Sequence, residues 1–529
     1  MKDVVQYNPF DHFIFRTPLF PFDYIQKKND LKRNKAFSEA LLVASPDLSE
    51  GIVKGEDRAQ YSAYRYYQRA CTRPTPFGLF AGCSVGTIGK CTDILLLDQK
   101  EYKRITRLDM NYICALIQQI EKNKRIREQL CYYPNNSIYP VASKLRYVEY
   151  YYYKTRRSHK ISQIDFSDCI QKVLKLARTG ALFFELIEVL IDDEVTYEDA
   201  ADFIHELIDI QLLVSELAPA VTNVKPLTSL IDKLKKVSFA EKQLIDVLSA
   251  IETQLATIDS QSIGDTIPIY QAVIKNIEKT KVESEIKYLF QADMYKPVQQ
   301  ATVSKRLVQD IQQALVFLNK ITPPSIGNSN LLKFKENFLK RYDDREMPLL
   351  FVLDNELGIG YANNISGDTS PLVDDLVAFR SNSSSIVSRS PIQSILIQKN
   401  QQFSRNIIEL TDEDVKDIEA VWDDMPPTFS VLCQVLQDNE QGRSCFIQSV
   451  LSHSGANFLG RFCHLDKQIL NHTLAITEKE AQMNPNVIFA EIVHLPESRI
   501  GNILLRPVLP FWFCRSHMNW YTGIEFIPL

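Results

Sequence analysis

The chain has 529 residues, of which 45% are hydrophobic and 24% charged, and this composition is typical of a globular protein. A chain of this length exceeds one hydrophobic core and predicts about two to four subdomains. No apolar run approaches the roughly 18 residues that a membrane-spanning helix needs, and the N-terminus lacks the apolar segment of a secretory signal. The ten cysteines form no C-x-x-C pair, so we expect free thiols, a cytoplasmic protein, no membrane insertion and no bound metal.

The net charge of −5 conceals an uneven distribution. Residues 1–160 contain 27 Lys and Arg against 16 Asp and Glu, a balance of +11, so the remaining residues carry −16. A basic N-terminal third indicates a polyanionic partner such as RNA.

Apolar residues at helical spacing predict ten helices, over 31–44, 56–71, 109–130, 167–177, 181–191, 196–210, 230–251, 268–279, 304–320 and 330–342. Runs rich in Tyr, Val and Ile predict three strands within 137–166, and further strands at 13–18, 87–97, 212–214 and 348–361. Residues 362–391 are dense in Asn, Ser, Gly and Asp and predict a loop. The fold class is therefore α+β.

The order of these elements predicts three domains. Residues 1–135 form a basic N-terminal subdomain, and residues 223–529 form a helical and α/β remainder. Between them, residues 136–222 combine three strands with three helices, which predicts a winged-helix-like unit with 212–214 as its returning strand. The last of these helices has a capping signal in Thr196 and Asp199.

A row of arginines precedes the most distinctive run of the chain. Arg58, Arg65, Arg69 and Arg73 are spaced seven, four and four residues apart, and a helix places such positions on one face. Two prolines then end the helix, and glycines follow that permit a tight turn or the close approach of a ligand. Fixed cations beside a rigid turn indicate an anion-binding site, and the alternative is a solvated helix face.

Three other patterns carry no chemistry. Gly82 to Gly86 match G-x-S-x-G, but a loop precedes Ser84 and a strand follows it, whereas a nucleophile elbow needs a strand before the serine and a helix after it. Gly89-Lys90 lacks the upstream glycine and the hydroxyl residue of a P-loop. The histidines at 453, 464 and 472 lack metal-ligand spacing, so we interpret them as structural.

The run Arg73-Pro74-Thr75-Pro76-Phe77-Gly78-Leu79-Phe80 resembles the hallmark of the lantibiotic dehydratase family, in its N-terminal half that transfers glutamate. Further matches follow the family order: Arg16; Arg107-Leu108-Asp109; Ser454-Gly455-Ala456-Asn457-Phe458-Leu459-Gly460-Arg461-Phe462; and His494-Leu495-Pro496 with Arg499, Asn502, Arg506 and Pro507. The resemblance therefore extends over nearly the whole chain.

This resemblance implies a multi-subdomain glutamylation domain with the winged-helix-like unit embedded in it. Such enzymes take glutamate from glutamyl-tRNA and esterify it to Ser or Thr side chains of a precursor peptide, the first step of dehydration in lanthipeptide biosynthesis. No bound cofactor is implied, because glutamyl-tRNA is a co-substrate. The implied partners are glutamyl-tRNA, a precursor peptide with its leader, a separate elimination-domain protein, a cyclase and a second copy of the chain.

The resemblance also implies residue roles. The catalytic set is Arg16, Arg69, Arg73, Thr75, Asp109 and Arg461, and the tRNA-binding set is Arg58, Arg65, Arg69 and Arg73. Arginines suit phosphate and carboxylate because their planar fork binds both bidentately. Asp109 has two readings of equal weight, a general base or a simple helix cap. An acidic residue of the family is expected near 330–335, where this chain has Leu332-Lys333.

The winged-helix-like unit would clamp the leader peptide, which adds as a strand to a sheet edge. We expect Tyr147, Tyr150 and Tyr152 to contact that peptide. Aromatic rings beside cations also suit RNA stacking, and tyrosines in an amphipathic strand also serve plain sheet packing.

Members of the family continue well past the motif that ends at Pro507, whereas this sequence stops at Leu529. We therefore expect a C-terminally truncated chain without elimination activity. Two alternatives stay open beside glutamyl transfer: a non-catalytic module that binds leader peptide or tRNA, and a shortened relative that adds an amino acid to a peptide C-terminus.

Overall fold

The computed structural model describes residues 7–26, 34–153, 156–219, 223–238, 242–322, 329–361, 390–402, 407–438, 442–487, 489–493 and 512–515. These residues form a mixed α+β fold, as predicted. None of the helices among them is long and apolar enough to cross a membrane.

Sixteen strands are present in this part of the chain. In order they are β1 (His12–Pro18), β2 (Ala81–Gly89), β3 (Asp93–Leu96), β4 (Lys103–Leu108), β5 (Cys131–Pro134), β6 (Tyr139–Val141), β7 (Lys144–Tyr153), β8 (Arg156–Asp165), β9 (Ala181–Leu182), β10 (Leu213–Ser215), β11 (Phe290–Tyr295), β12 (Val298–Ser304), β13 (Ser430–Asp438), β14 (Gly442–Leu451), β15 (Ala490–Val493) and β16 (Trp512–Arg515).

Sixteen α-helices are described in the same residues. In order they are α1 (Lys35–Ala44), α2 (Pro46–Lys54), α3 (Asp57–Thr72), α4 (Met110–Glu121), α5 (Lys124–Arg127), α6 (Asp168–Ala177), α7 (Phe183–Glu188), α8 (Tyr197–Asp209), α9 (Pro226–Leu234), α10 (Lys242–Ser260), α11 (Ile267–Lys279), α12 (Lys305–Ile321), α13 (Ser329–Tyr342), α14 (Leu349–Leu353), α15 (Pro391–Gln402) and α16 (Lys467–Met483).

The chain divides into two compact units, and each of them is discontinuous in sequence. The smaller unit combines residues 1–10, 89–92 and 303–454. The larger unit combines residues 11–88, 93–302 and 455–529. The predicted domain boundaries near 135 and 222 both fall inside the larger unit.

A six-stranded sheet is the centre of the larger unit. Its order is β3-β12-β2-β11-β4, and β1 pairs with β2 as an additional antiparallel neighbour. The register places Arg16 of β1 opposite Cys83 of β2, and Cys83 is in turn aligned with Tyr295 of β11. On the other side of β11, Gln291 lies opposite Arg107 of β4. Polar residues that are far apart in sequence therefore meet on adjacent strands.

Helices cover this sheet with one continuous hydrophobic core. Phe37 of α1 meets Tyr67 of α3 edge to face, with ring centroids 5.3 Å apart, and both side chains are buried. On α4, Ile113 is fully buried in the same core, as is Tyr270 of α11. Each such side chain contributes about 1.5–3 kcal/mol when it leaves water. The apolar spacing that predicted these helices therefore marks the faces that pack on the core.

Two small sheets and three helices follow in residues 131–215. One sheet has the order β6-β7-β8 and corresponds to the three strands predicted within 137–166. The other has the order β10-β5-β9. The predicted returning strand at 212–214 is thus present as β10, but it pairs with β5 rather than with the predicted three. The predicted cap of α8 is confirmed, because Thr196 accepts a hydrogen bond from the Asp199 amide.

Four predicted elements are wrong. The helix predicted over 109–130 is divided into α4 and α5, with a break after Glu121. The predicted strand over 348–361 is a short helix, α14, followed by a turn. Residues 230–251 do not form one helix, because α9 ends at Leu234 and α10 begins at Lys242. The predicted strand over 87–97 is divided between β2 and β3. The predicted loop at 362–391 lies almost entirely outside the described residues.

Ser84 lies inside β2 and is fully buried. Its hydroxyl donates a hydrogen bond to the carbonyl of Lys296 at 2.6 Å. No helix follows it, since the next element is β3. This buried position inside a strand, with no helix after it, is not the geometry of a nucleophile elbow.

Candidate functional site

Helix α3 carries three arginines of the predicted row. Arg58, Arg65 and Arg69 lie within the helix, and Arg73 is its C-terminal cap with an extended backbone. The helix ends there because Pro74 disfavours helical dihedral angles in the residue before it. Arg58, Arg65 and Arg73 are exposed, whereas Arg69 is half-buried. The row of cations therefore stops at the proline turn.

A groove of about 610 Å³ lies beside the C-terminal half of α3. The Arg69 guanidinium is 4.8 Å from the centroid of the Phe77 ring, and its Nε is buried without a hydrogen-bond partner among the described residues. Burial lowers the pKa of Arg69, and the charge of Arg73 lowers it further. The groove is lined by Ile25, Arg65, Tyr66, Gln68, Arg69, Thr72, Arg73 and Phe77. Three guanidinium groups around one groove suit a phosphate or a carboxylate.

The turn after α3 is anchored at its C-terminal end. Phe77 stacks on the buried ring of Phe80, with centroids 6.1 Å apart and planes inclined by 19°. Between them, Gly78 has a φ of +54°, a left-handed conformation that favours glycine over residues with a Cβ atom. Thr75 is exposed at the start of the turn. Its hydroxyl is therefore placed on the surface, next to Arg73 in sequence.

A second cluster of charged groups surrounds the carboxylate of Asp293, in the middle of β11. Asp293 Oδ1 accepts from Arg461 Nη2 at 2.9 Å, and Oδ2 accepts from Arg107 Nη2 at 3.3 Å. His464 Nε2 lies 3.5 Å from the same Oδ2. Asp293 is only 2% exposed. One buried carboxylate therefore connects β4, β11 and the segment that precedes α16.

The protonation states of this cluster follow from its contacts. Burial raises the pKa of Asp293, but the neighbouring imidazole of His464 and the charges of Arg461 and Arg107 outweigh it, and the pKa falls well below its usual range. Burial lowers the pKa of His464, Asp293 partly offsets this effect, and the net direction is downward. At neutral pH, Asp293 is therefore a carboxylate and His464 is uncharged.

Arg16 joins the same cluster through Phe462. The Arg16 guanidinium lies 5.4 Å from the centroid of the Phe462 ring, and the Arg461 guanidinium lies 5.1 Å from it. Arg16 also interacts with the Cys83 thiol, whose pKa is raised to about 12 chiefly by burial. Arg107 and Arg461 thus share one carboxylate, and Arg16 lies beside Arg461 at the Phe462 ring, so the three guanidinium groups together carry more positive charge than Asp293 neutralises. Such an excess of positive charge is suited to an anionic ligand.

The structure brings together some predicted site residues and adds others. Arg16 and Arg461, 445 positions apart, meet at one ring, and Arg69 and Arg73 meet at the groove. Sequence reasoning missed Asp293, although an acidic residue inside an apolar strand is itself a signal, because a buried charge requires a partner. Residues 330–335, where an acidic residue was sought, lie in α13 of the smaller unit.

Asp109 is the N-terminal cap of α4. Its side chain accepts a hydrogen bond from the Asn111 amide at 2.8 Å, and the residue is fully buried. The capping interpretation of Asp109 is thereby confirmed. A capping carboxylate without access to solvent has no described route to a substrate hydroxyl, so a role as general base is not supported by this geometry.

The prediction that Tyr147, Tyr150 and Tyr152 contact a peptide is contradicted by their environment. Tyr147 is 2% exposed, and burial raises its pKa to about 12. The Tyr152 hydroxyl donates to the carbonyl of Asn111 at the start of α4, at 3.3 Å. The Arg157 guanidinium lies 4.1 Å from the centroid of the Tyr150 ring. These tyrosines therefore hold β7 against the protein interior, which is the sheet-packing alternative.

Comparisons with known proteins agree with this architecture. Residues 33–513 match the family described as "Lantibiotic dehydratase, N terminus". The chain belongs to this family. The motif from His494 to Pro507 that also pointed to it lies outside the described residues.

Curated relatives match nearly all of the chain. The subtilin biosynthesis protein SpaB of Bacillus subtilis is 23% identical over 94% of the chain and 50% of its own length. The nisin biosynthesis protein NisB of Lactococcus lactis subsp. lactis is 22% identical over 95% of the chain and 52% of its own length. The chain thus spans about half the length of these relatives.

Solved structures share the fold. The tRNA-dependent lantibiotic dehydratase MibB of Microbispora sp. 107891 matches with a TM-score of 0.74 at 20% identity, over 94% of this chain and 49% of that one. The glutamylation domain of TbtB from thiomuracin biosynthesis, bound to 5'-phosphodesmethylglutamycin, matches with a TM-score of 0.57 at 14% identity, over 93% and 62%. The mixed α+β architecture is therefore that of lantibiotic dehydratases and glutamylation domains.

Proposed function

We propose that this chain transfers glutamate from glutamyl-tRNA to Ser or Thr side chains of a ribosomally made precursor peptide, as the first step of dehydration. The observation that carries the proposal is the cluster in which Arg107 and Arg461 share the single buried carboxylate of Asp293, while Arg16 meets Arg461 at the Phe462 ring. Its unmatched positive charge suits the carboxylates of a glutamyl group, because arginine forks bind carboxylates bidentately.

The exposed arginines supply the complementary surface for the nucleic acid. Arg58 and Arg65 are exposed on α3, Arg73 is exposed at its C-terminal cap, and Arg69 lines the groove with Arg65 and Arg73. In our proposal Arg69 and Arg73 hold the acceptor end of the tRNA, and Arg58 and Arg65 contact its backbone. Phosphate contacts of this kind position a nucleic acid without reading its sequence.

The ester of an aminoacyl-tRNA is already activated, so the protein has mainly to align two substrates and stabilise developing negative charge. Arg461 and Arg16 carry the second task in our proposal, since Asp293 holds Arg461 in place from within the sheet. Thr75 orients a substrate group at the proline turn. In the proposal Asp109 is the cap of α4 and not the general base, because it is buried.

The peptide is proposed to bind at β8 rather than at the three tyrosines. β8 is ten residues long and lies at the edge of its sheet, where β7 is its neighbour. Ile161 of this strand is 61% exposed. An added peptide strand gains main-chain hydrogen bonds at such an edge, and exposed side chains select its sequence. With α6, α7 and α8, this region would form the winged-helix-like leader clamp.

Partners complete the proposed pathway. A separate elimination-domain protein would remove glutamate from the esterified peptide, and a cyclase would act on the dehydrated product. A homodimer is a further proposal. Two alternative functions differ in outcome: a non-catalytic module binds leader peptide or tRNA without a covalent product, and a shortened relative attaches the amino acid to the peptide C-terminus.

The test incubates the purified chain with glutamyl-tRNA and synthetic precursor peptides that carry a leader and a core containing Ser and Thr. Tandem mass spectrometry should locate one added glutamyl unit on a Ser or Thr side chain. Arg461→Lys keeps the charge but loses the fork, and we expect a rate loss on the order of 100-fold. Arg306→Ala, an exposed arginine of the smaller unit, is the matched control and should retain full activity.

Each other outcome has a distinct meaning. An adduct at the peptide C-terminus would support the shortened relative. The folded chain could also bind the peptide tightly and give no adduct with any of the tRNA preparations and peptides. This result would support the non-catalytic module and refute the transferase. If the glutamyl unit is found on a Ser or Thr side chain and the Arg461→Lys variant is fully active, only the role assigned to Arg461 is refuted.

A further inference from the structure

The smaller unit contains two cysteines on one face of a two-stranded ribbon. β13 and β14 pair antiparallel, with Cys433 opposite Ile447 and Cys445 opposite Val435. Directly opposite residues share a face, and residues two apart on one strand share it as well. Cys433 and Cys445 are therefore diagonal neighbours on the same face of this ribbon.

The local geometry brings the two sulfur atoms within reach. The register shifts between Leu432 and Cys433, so a bulge lies beside the cysteine pair. A bulge increases the right-handed twist of a ribbon, which shortens one of its two diagonals. The Cys433 thiol acts on the pKa of the Cys445 thiol as a direct neighbour, so the two side chains approach each other across this diagonal.

The ribbon leaves these thiols accessible. Both cysteines are half-buried, and the strands around them expose Leu432, Val435, Leu436 and Phe446. Within the described residues the ribbon contains two strands, and a two-stranded hairpin is marginally stable without further support. A covalent connection between its strands would therefore change its stability more than it would in a large sheet.

We propose that Cys433 and Cys445 form a cross-strand disulfide by exchange with a small disulfide such as oxidised glutathione. The thiolate of one cysteine attacks the small disulfide, forms a mixed disulfide and releases one glutathione thiolate. The second cysteine then attacks the protein sulfur of that mixed disulfide and releases the second glutathione. The protein loses two protons and two electrons, and the small disulfide takes them up and is reduced to two thiols.

The rate of this exchange depends on the thiolate fraction. Burial raises the pKa of Cys445 to about 12, and the neighbouring Cys433 thiol raises it as well. Formation of the disulfide is therefore slow at neutral pH and accelerates as the pH rises. The pair functions as a modification site that responds to sustained oxidation.

The test treats the reduced full-length chain with excess oxidised glutathione at pH 8, followed by alkylation, tryptic digestion and non-reducing mass spectrometry. Trypsin cleaves after Arg443, so the two cysteines fall in separate peptides and a linked pair is diagnostic. Cys91 and Cys169 are exposed and serve as internal references. We expect persistent glutathione adducts at these references and a direct link between Cys433 and Cys445.

Two single variants sharpen the result. In Cys433→Ser and Cys445→Ser the remaining cysteine has no partner, and its glutathione adduct should be on the order of tenfold more abundant than in the unchanged chain, because the intramolecular step has a millimolar effective concentration. Separate stable adducts on both cysteines of the unchanged chain would overturn the proposal. So would two free thiols under conditions that fully convert Cys91 and Cys169.

Discussion

Asp293→Asn removes the one carboxylate that three cationic or proton-donating groups share, and it preserves the size of the side chain. Arg107 and Arg461 would then be left in the protein interior without their counterion. Breaking a buried ion pair by removal of one partner costs about 3–5 kcal/mol of unfolding free energy. Because the amide of Asn still offers one acceptor oxygen, we expect the unfolding free energy of the larger unit to fall by about 3 kcal/mol, the lower end of this range.

The pH dependence of this loss has a definite sign. The pKa of Asp293 is depressed in the folded chain, so its contribution to stability is present above the unfolded pKa of about 3.9 and is lost as the pH falls through the folded pKa. The difference in unfolding free energy between wild type and Asp293→Asn should therefore be constant from pH 5.5 to 8, a range that begins roughly two units above the unfolded pKa. It should shrink below about pH 4. Urea denaturation followed by far-ultraviolet circular dichroism measures both quantities.

The matched control is Asp265→Asn. Asp265 also forms an ion pair, with Lys35 at 2.8 Å, but both side chains are more than half exposed. Exposed pairs contribute little because water and salt screen them. An Asp293→Asn variant that is as stable as Asp265→Asn would refute the conclusion that the carboxylate compensates the buried arginines.

Four further predictions concern other parts of the larger unit. Gly82→Ala would place a Cβ atom 2.7 Å from Cγ of Lys296, and we expect a loss of about 1–3 kcal/mol in urea denaturation. Tyr152→Phe removes one hydrogen bond, so unfolding should cost about 1 kcal/mol less, while leader binding measured by fluorescence anisotropy should not change. Arg73→Ala should reduce the slope of log affinity for tRNA against log salt by about one, with Arg306→Ala unchanged. His464→Gln should flatten the loss of stability between pH 7 and 5, because the depressed pKa of His464 means that the unfolded chain binds the extra proton, about one per molecule.

Much of the helical architecture was accessible from apolar spacing. The helix predicted over 56–71 is present as Asp57–Thr72, and that predicted over 304–320 is present as Lys305–Ile321. Periodicity works here because one face of each helix packs against other parts of the protein. It fails over 348–361, where a short apolar run is compatible with strand and helix alike. The helix α14 that forms there has only five residues.

The candidate site was only partly accessible. Arginines that line the groove belong to one local stretch, so their spacing revealed them. The cluster around Asp293 is formed by residues from four distant stretches, and no local pattern contains that information. The tyrosines of β7 were misassigned for a related reason, because the sequence does not show which sheet face is covered by α4.

The ion pair between Asp293 and Arg461 also has a consequence for folding during synthesis. Residues 303–454 of the smaller unit are synthesised between two segments of the larger unit, which end at residue 302 and begin at residue 455. Until the ribosome has released Arg461 and His464, Asp293 has Arg107 beside it but lacks these two later partners. A ribosome moving at about 5–20 residues per second needs on the order of 10 seconds for that interval. During this interval the incomplete sheet is a species to which we expect chaperones to bind.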